Sequence, residues 1–229
     1  MKKVLLLIHT FPPYAYPESY LSAKRLGNLE HCIVDVITMK PFAKQENIDE
    51  FFFYKIEQSF NSITYLNPPW WFKYIPFGMT KGLLNIPDPY LYLGRLYTSH
   101  LKTTQNYDLV ITWSMYHSIH LVGKSIKKSM PHIKWMAHFS DPWTTNPFFN
   151  YGFITKPINQ RLESMVFQHA DILTFTSQET IDQATSHYDK AIKEKSIIIP
   201  HCFDEEWYHL REPIELKQDK VLLKYIGGF

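Results

Sequence analysis

The chain has 229 residues, of which 45% are apolar, and its 24 basic and 22 acidic side chains leave a formal net charge of +2. This length and apolar content suffice for one well-buried domain with, at most, the beginning of a second, and they exclude a disordered chain. The near balance of charge gives no support to a nucleic-acid-binding protein. Cys32 and Cys202 form no Cys-x-x-Cys pair, so no metal cluster is expected and a reducing compartment, the cytoplasm, is the default.

The chain opens with MKKVLLLI, which joins two lysines to a short apolar run as a secretory signal peptide does. The run stops at Ile8, is followed by His9, Thr10 and soon two prolines, and offers no small-residue cleavage site. We therefore predict a first β-strand here. No window of the sequence approaches the roughly 20 apolar residues of a membrane-spanning helix, so any membrane contact would be peripheral.

Short apolar runs recur along the chain and alternate with longer stretches of helical periodicity. This alternation predicts a doubly wound parallel sheet of the α/β class. The predicted strands cover residues 4–8, 33–39, 109–113, 134–139, 172–176 and 196–199.

Two of the intervening helices are marked by apolar side chains at helical spacing, which we expect on the buried face of each helix. The first stripe consists of Met115, Ile119, Val122 and Ile126. The second consists of Ile158, Leu162, Met165, Val166 and His169. Ser177 is the predicted N-terminal cap of a third helix, because Glu179 follows in its first turn, where the helix dipole favours negative charge.

Residues 40–107 are less regular and rich in proline and aromatic side chains. The stretch NPPWWFKYIPFGMTKGLL, residues 67–84, contains Trp70, Trp71, Phe72, Tyr74 and Phe77 together with Lys73 and Lys81. Such a stripe favours a core segment or a lid over a substrate. The alternative is a peripheral contact of Trp70, Trp71 and Lys73 with the inner face of the membrane, because aromatic rings favour the headgroup level and lysines attract anionic lipid.

Polar residues stand where the predicted strands end. In an open parallel sheet the ligand crevice lies at the carboxyl ends of the strands, so these residues are candidates for a site. They are His9, Thr10, Thr112, Ser114, His138, Ser140, Asp141, Thr176, Ser177 and His201. A plain explanation stays open for each of them, since strands must leave a sheet through polar loops. The coincidence of several polar ends favours a functional edge.

Several common kinds of chemistry have no motif in this sequence. The first glycine is Gly27, so the first strand-to-helix turn is neither a G-x-G-x-x-G dinucleotide cradle nor a P-loop. There is no G-x-S-x-G elbow and no Asp-x-Asp pair that would grip a metal ion. His117 and His120 lie three apart at a predicted helix start with no third ligand nearby in sequence, so hydrogen bonding there is favoured over a metal site.

Four short motifs, in this order and spacing, resemble those of the amino-terminal domain of family 4 retaining glycosyltransferases. The family's Ser-x-x-His-Ser-x-His is similar to residues 114–120, and its Asp-Phe-Arg-Asp-Pro-Trp is similar to residues 138–143, with Ser140 in place of the arginine. Its Ala-Asp followed by a later serine fits Ala170, Asp171 and Ser177, and its Ile-Pro-Asn-Gly-x-Asp fits residues 199–204. The resemblance implies a GT-B fold, in which two Rossmann-like domains face each other across a cleft.

The resemblance implies that the site faces this cleft and that Asp141 is its candidate catalytic residue. Held by Pro142 and packed through Trp143, the Asp141 carboxylate would accept hydrogen bonds from sugar hydroxyls while the leaving diphosphate helps to deprotonate the acceptor. The candidate substrate-binding residues are His117, Ser118, His120, His138, Ser140, Trp143 and Ser177. No cofactor or metal is expected, because the nucleotide-sugar is a co-substrate. Two alternatives stay open, that Asp141 caps the following segment and that His117 and His120 cap their helix.

The resemblance also predicts the organisation of the chain. Residues 1–204 would form the amino-terminal Rossmann-like domain, residues 205–219 an interdomain linker, and residues 220–229 the first strand of a truncated donor-binding domain. The implied function is the acceptor-side half of an enzyme that transfers a sugar from a nucleotide-sugar to a glycan or lipid-linked acceptor in cell-surface polysaccharide or lipopolysaccharide synthesis. Without its donor domain this chain would be inactive. The alternative is a noncatalytic sugar-binding module or one chain of a split glycosyltransferase.

Overall fold

The computed structural model describes residues 1–40, 48–75, 86–101, 106–149 and 151–202, which form a single seven-stranded sheet flanked by helices. All strands are parallel, in the order β3-β2-β1-β4-β5-β6-β7. The strands are β1 Lys2–Ile8, β2 Cys32–Met39, β3 Ser62–Leu66, β4 Leu109–Trp113, β5 Lys134–Phe139, β6 Ile172–Phe175 and β7 Ser196–Ile198. The predicted Rossmann-like α/β sheet is therefore confirmed.

Helices connect the strands and cover both faces of the sheet. They are α1 Pro17–Gly27, α2 Glu50–Ile56, α3 Gly94–Leu101, α4 Ser118–Ser129, α5 Thr155–His169, α6 Gln178–Ala184 and α7 Lys190–Glu194. Short 3-10 turns occupy Glu57–Ser59, Trp70–Tyr74 and Pro89–Leu93. None of the helices in the described ranges is both long and apolar enough to cross a lipid bilayer.

The side chains of β1 divide between two apolar cores because successive residues of a strand point to opposite faces of the sheet. Leu5 and Leu7 pack into the core beneath α3, α4 and α5, whereas Val4, Leu6 and Ile8 pack into the core beneath α1 and α2. All five are buried. A continuous apolar run is the pattern that a parallel strand covered on both faces requires, which accounts for its likeness to a signal peptide.

Helix α4 confirms the first predicted stripe, since Ile119, Val122 and Ile126 are all buried. Met115 precedes the helix. The helix lies so close to the sheet that a Cβ placed on Gly123 would be 2.4 Å from the indole nitrogen of Trp135 and 2.8 Å from Thr112 Cγ2. Only a glycine fits at this close approach.

Helix α5 corrects the second predicted stripe. Ile158 and His169 are exposed, whereas the buried face of the helix includes Asn159 and Glu163 together with Val166. The apolar spacing indicated the buried face only in part, since Val166 is buried and Leu162 packs against the core. The rest of that face is polar because the polar groups of this helix have hydrogen-bond partners inside the protein, as described below. Strand β3 was also missed, within the irregular stretch 40–107.

The connections of the sheet create a switch point between β1 and β4. The chain first builds outwards from β1 through β2 to β3, and then crosses to the other side of β1 to form β4. Loops from the carboxyl ends of β1 and β4 therefore diverge over opposite faces and leave a crevice, which is where open α/β sheets bind ligands. The predicted linker at residues 205–219, the strand at 220–229, and Phe77 and Lys81 lie outside the described residues.

Candidate functional site

The polar strand ends meet at one edge of the sheet, as the parallel topology requires, but most of them are buried. His9, Thr112, Ser114, His138 and Ser140 each expose less than a tenth of their surface. Asp141, the next residue after Ser140, is exposed. The edge therefore has an internal layer of hydrogen-bonded polar groups beneath a smaller set of accessible ones.

Glu18 is the centre of the internal layer and was not identified from the sequence. It lies in the first turn of α1, where its Oε2 accepts hydrogen bonds from Trp113 Nε1 and from Ser140 Oγ, both at 2.7 Å. Burial raises the pKa of the Glu18 carboxyl, the two hydrogen bonds oppose this shift, and the charge of Asp141 adds to it. An acidic residue after Pro17 in a first helical turn was the available signal, but it is also explained by the helix dipole alone.

Asp141 has an exposed side chain at the carboxyl end of β5. Its carboxylate makes no hydrogen bond to any of the described residues, so the structure gives it no capping bond to the following segment. Pro142 and Trp143 behind it are buried. The predicted packing of Trp143 is confirmed, and the Asp141 carboxylate is left available to a ligand.

The segment after Asp141 is fixed to helix α5 by four residues that we call the β5–α5 clamp: Trp143, Thr144, Asn159 and Glu163. Trp143 Nε1 donates to Asn159 Oδ1 at 3.0 Å, and Thr144 donates to Glu163 through its backbone nitrogen at 3.0 Å and its hydroxyl at 2.6 Å. The Tyr188 hydroxyl also donates to Glu163, at 3.0 Å. Burial of Glu163 raises its pKa, and these hydrogen bonds lower it.

The three candidate histidines are internal residues. His117 stacks on Trp143 with ring centroids 4.7 Å apart and an interplanar angle of 10°, and neither of its ring nitrogens has a hydrogen-bond partner among the described residues. His120 Nδ1 pairs with the hydroxyl of Thr112, and His138 Nδ1 with that of Thr174, both at 2.8 Å. Burial lowers the pKa of all three, that of His117 to about 3.

The start of α4 is capped from outside its own segment, which corrects the expectation that His117 caps it. Asp88 Oδ2 accepts from the backbone nitrogen of Ser118 at 2.8 Å, and its Oδ1 accepts from the Ser118 hydroxyl at 2.6 Å. The same hydroxyl lies 2.9 Å from His9 Nε2. Burial raises the pKa of Asp88 to about 6 despite these hydrogen bonds. Ser118 is therefore bonded internally.

Ser177 is confirmed as a helix cap, because its hydroxyl accepts a hydrogen bond from the backbone nitrogen of Thr180 at 3.2 Å. Of the eight candidate site residues, Asp141 alone is exposed, and Ser177 is half-buried. No group of three or more His, Cys, Asp or Glu side chains within the described ranges is arranged to hold a metal ion.

Four tyrosines surround the crevice between β1 and β4, and we call them the tyrosine wall: Tyr14, Tyr16, Tyr90 and Tyr116. Tyr14 and Tyr16 follow β1, Tyr116 follows β4, and Tyr90 lies in the turn Pro89–Leu93. Tyr90 stacks on Tyr116 with centroids 4.7 Å apart and an interplanar angle of 30°. Tyr14, Tyr16 and Tyr116 are half-buried. No sequence pattern marks the wall, because Tyr14 and Tyr116 are 102 residues apart in the chain.

Two further features lie on the surface. In the turn Trp70–Tyr74, Trp70 is 76% exposed and Trp71 and Tyr74 are exposed as well, so the core interpretation of this stretch holds for Phe72 but is wrong for these three rings. A cavity of about 380 Å³ opens between the loop after β5 and helix α5. It is lined by Thr144, Thr145, Asn146, Pro147, Phe149, Tyr151, Lys156, Gln160 and His187.

No protein-family model matches the sequence, and no curated protein matches it. Solved structures do match. The chain is similar to Anabaena HepE in complex with UDP and glucose (16% identity, TM-score 0.53, 91% of this chain and 46% of that one). It is also similar to Arabidopsis thaliana UGT89C1 complexed with UDP (13% identity, TM-score 0.53, 89% and 50%). A third match is the N-terminal domain of Candida albicans trehalose-6-phosphate phosphatase (14% identity, TM-score 0.54, 81% and 42%).

At these identities the likeness concerns the fold. This chain spans about half the length of the structures it matches, or somewhat less. HepE and UGT89C1 are glycosyltransferases of the GT-B type. The seven-stranded sheet described here is thus the Rossmann-like α/β fold of those GT-B neighbours.

Proposed function

We propose that this chain is the acceptor-binding part of a retaining glycosyltransferase that uses a nucleotide-sugar donor. The observation that carries the proposal is the position of Asp141, an exposed carboxylate without a hydrogen bond to the described residues, at the carboxyl edge of a fold shared with HepE, whose structure contains UDP and glucose. Among the motifs that resemble family 4 enzymes, residues 114–120 and 138–143 lie at the carboxyl ends of β4 and β5, and Ser177 follows β6 at the same edge, whereas Ala170 and Asp171 precede β6 at the opposite edge. In this proposal Asp141 accepts a hydrogen bond from a sugar hydroxyl and orients it for transfer.

The buried candidate residues serve the proposed reaction by positioning the edge. Ser140 bonds to Glu18 and thereby fixes the backbone immediately before Asp141. His117 packs against Trp143, which follows two residues after Asp141. In a front-face mechanism the acceptor oxygen bonds to the anomeric carbon on the face from which the diphosphate leaves, and the diphosphate takes up the acceptor proton, so neither a protein nucleophile nor a protein base is required. The protein then contributes orientation and charge stabilisation, for which a rigid strand end is suited.

Donor binding tests this proposal. Titration calorimetry of the 229-residue chain with UDP-glucose should give weak binding, because the resemblance assigns the donor phosphates to a second domain. A radiolabelled transfer assay on the product of the full reading frame should detect transfer from a nucleotide-sugar. Tight, stoichiometric binding of UDP-glucose to this chain alone would contradict the division into two halves. Sugar binding without any donor binding or transfer would instead favour the noncatalytic module.

A second proposal concerns the membrane and rests on the exposure of Trp70, Trp71 and Tyr74 beside Lys73. Such rings enter the headgroup region, and each lysine near an anionic surface contributes about 1 kcal/mol. We propose a peripheral contact at the inner face of the cytoplasmic membrane, where a lipid-linked acceptor for polysaccharide or lipopolysaccharide synthesis would be reached.

Vesicle flotation tests the membrane proposal. The chain should float with anionic but not with neutral liposomes, and salt should release it. The double substitution Trp70→Ala with Trp71→Ala should reduce flotation, whereas Phe51→Ala with Tyr54→Ala should not. Phe51 and Tyr54 are exposed aromatics on α2, at least as exposed as Trp71, and Lys55 lies beside Phe51, so they form a matched control. A wild-type chain that stays in solution with anionic vesicles at low salt would overturn this proposal.

A further inference from the structure

The tyrosine wall lies at the place where this fold binds ligands. Tyr16 is the residue before α1 and Tyr116 lies between β4 and α4, so the two come from the loops that diverge at the switch point. These loops meet through hydrogen bonds of the internal layer. Ser140 Oγ donates to Glu18, two residues after Tyr16, and is 3.5 Å from the carbonyl oxygen of Ser114, two residues before Tyr116. Asp141 follows Ser140 and lies close enough to Tyr16 for its charge to act on that phenol, and Tyr16 in turn contacts Tyr116.

The wall is built outwards from the core as a stack of rings. Buried His9 stacks on Tyr90 at 4.5 Å with an interplanar angle of 28°, and Tyr90 stacks on Tyr116 at 4.7 Å. His9 is held by the hydroxyls of Tyr97 and Ser118, at 3.1 and 2.9 Å. The stack thus begins on a ring with fixed orientation and ends on the half-exposed ring of Tyr116. Such pre-organisation lowers the entropic cost of binding a ligand.

Polar groups stand at the margin of these rings. Tyr16 interacts with Tyr116 by a hydrogen bond, and the charges of Glu18 and Asp141 both raise the pKa of the Tyr16 phenol, which burial raises most. Glu18 is buried and already accepts two hydrogen bonds, so Asp141 is the carboxylate open to a ligand. Phenol rings with one accessible carboxylate beside them are therefore available on this surface.

This combination matches the chemistry of a sugar ring. A pyranose has an apolar face of C–H groups, which packs on aromatic rings, and hydroxyls around its rim, which donate to carboxylates. Ligand sites in general combine apolar and aromatic walls with a few polar groups that fix orientation. A nucleobase would also stack on the rings, but the phosphates attached to it would meet the negative charge of Asp141. The surface thus favours a neutral sugar over a nucleotide.

We propose that Tyr16, Tyr116 and Asp141 form the acceptor subsite and bind a neutral pyranose, with its C–H face on the phenol rings and a hydroxyl donating to Asp141. The identification of the bound sugar as the acceptor rests on the proposed transferase function, whereas the sugar-binding surface itself does not depend on it. Tyr14 and Tyr90 support the two rings that make the contact.

Saturation-transfer NMR on the 229-residue chain tests the subsite with methyl glycosides of glucose, galactose, mannose and N-acetylglucosamine as probes. At least one probe should bind, with the strongest transfer to the C–H protons of one face. Tyr116→Ala and Tyr16→Ala should each weaken binding about tenfold, since they remove a stacked ring. Tyr116→Phe and Tyr16→Phe should retain most of it. Amide spectra of each variant establish that it is folded, and Tyr54→Ala is the control for an exposed tyrosine elsewhere.

One competing site and one competing ligand give distinct results. Lys156→Ala and Gln160→Ala alter the 380 Å³ cavity, so loss of binding in these variants but not in Tyr116→Ala would move the sugar there and overturn the proposal. UDP is the second probe and should not displace the bound glycoside. Displacement by UDP, or the absence of binding for all four glycosides, would also overturn it.

The same variants separate this inference from the proposed function. If the full reading frame transfers sugar and Tyr116→Ala leaves the KM for the acceptor unchanged, the subsite is wrong and the transferase function stands. If no donor supports transfer but a glycoside binds the tyrosine wall, the transferase function fails and the sugar-binding surface stands.

Discussion

The tyrosine wall and the β5–α5 clamp lie at the same edge of one sheet and use their polar groups in opposite ways. In the clamp, the Trp143 indole and both donors of Thr144 are bonded inside the protein. Beside the wall, the carboxylate of Asp141 has no bond to any described residue. The clamp is a structural element, because a buried polar group without a hydrogen bond would lower the stability of the fold. The wall and Asp141 instead leave polar groups available to a ligand. Whether the polar groups are hydrogen-bonded inside the protein thus distinguishes the two regions better than residue type does.

The carboxylates show this difference most directly. Glu18, Asp88 and Glu163 are each buried and accept at least two hydrogen bonds, and burial raises the pKa of each. They fix α1, α4 and α5 to the sheet edge. Asp141 is exposed among them. A set of internal acids that hold the edge rigid, with one acid left accessible, is what precise orientation of a substrate requires.

The largest expected effect is on the clamp. Trp143→Ala should lower the free energy of unfolding by about 3–5 kcal/mol, because it removes a fully buried indole and its hydrogen bond to Asn159. Urea denaturation would measure the loss. Trp70→Ala, which removes an indole that is 76% exposed, is the matched control and should cost almost nothing. Equal losses for the two variants would mean that Trp143 is not a structural anchor.

A smaller effect is expected from Glu163→Gln. The glutamine amide has one acceptor oxygen where the carboxylate accepts from Thr144 twice and from Tyr188 once. At least one buried donor would lose its partner, which costs about 1–3 kcal/mol of unfolding free energy. Glu194→Gln, an exposed position on α7, provides the control. If both variants unfold at the same urea concentration as the wild type, the clamp does not depend on the charge of Glu163.

The pH dependence of stability is expected to report on His117. Burial lowers its pKa from 6.5 to about 3 in the folded state, so protonation favours the unfolded chain. The contribution of neutral His117 to the free energy of unfolding is complete above pH 6.5. It is lost as the pH falls towards 3, by at most about 1.4 kcal/mol per pH unit. His117→Phe keeps a ring against Trp143 and should flatten this dependence.

Asp88 has the opposite sign, because its pKa is raised to about 6 and its protonation on acidification favours the folded state. Asp88 is present in both the wild type and His117→Phe, so the difference in their pH dependence of stability reports on the histidine alone. Urea denaturation at intervals from pH 7 to pH 4 would provide the comparison. An unchanged slope in the variant would show that burial does not lower the pKa of His117 in the folded state.

The smallest effect on stability is expected at Asp141. Asp141→Asn should change the free energy of unfolding by less than about 0.5 kcal/mol, because the side chain is exposed and bonds to no described residue. In the proposed transfer reaction the same variant should lower turnover. Thermal melting and the transfer assay together measure both properties. A loss of about 2 kcal/mol or more would instead assign Asp141 a structural capping role.

The sequence predicts the parts of this molecule that depend on local periodicity. The strands around residues 4–8 and 109–113 follow from unbroken apolar runs, and parallel topology then brings their polar ends together. Glu18 could not be found in this way, since its partners Trp113 and Ser140 are 95 and 122 residues distant in the chain. Such bonds are set by tertiary packing.

The buried face of helix α5 was predicted only in part, for a related physical reason. A stripe of apolar side chains predicts a buried face only when polar groups have no internal partners, and Asn159 and Glu163 have them in Trp143 and Thr144. The tyrosine wall was missed because aromatic residues in loops carry no periodic signal. What remained unpredicted is thus concentrated at the edge that we propose as functional.

The close approach of α4 to the sheet at Gly123 has a practical consequence for protein engineering. Because even one methyl group at this position would collide with Trp135, α4 cannot be repositioned by small substitutions, and residue 123 should be kept fixed in any mutant library. Positions 16 and 116 precede the helices α1 and α4 and can be varied without entering either of them. Selection for a new sugar preference would therefore begin with diversity at these two loop positions on an unchanged scaffold.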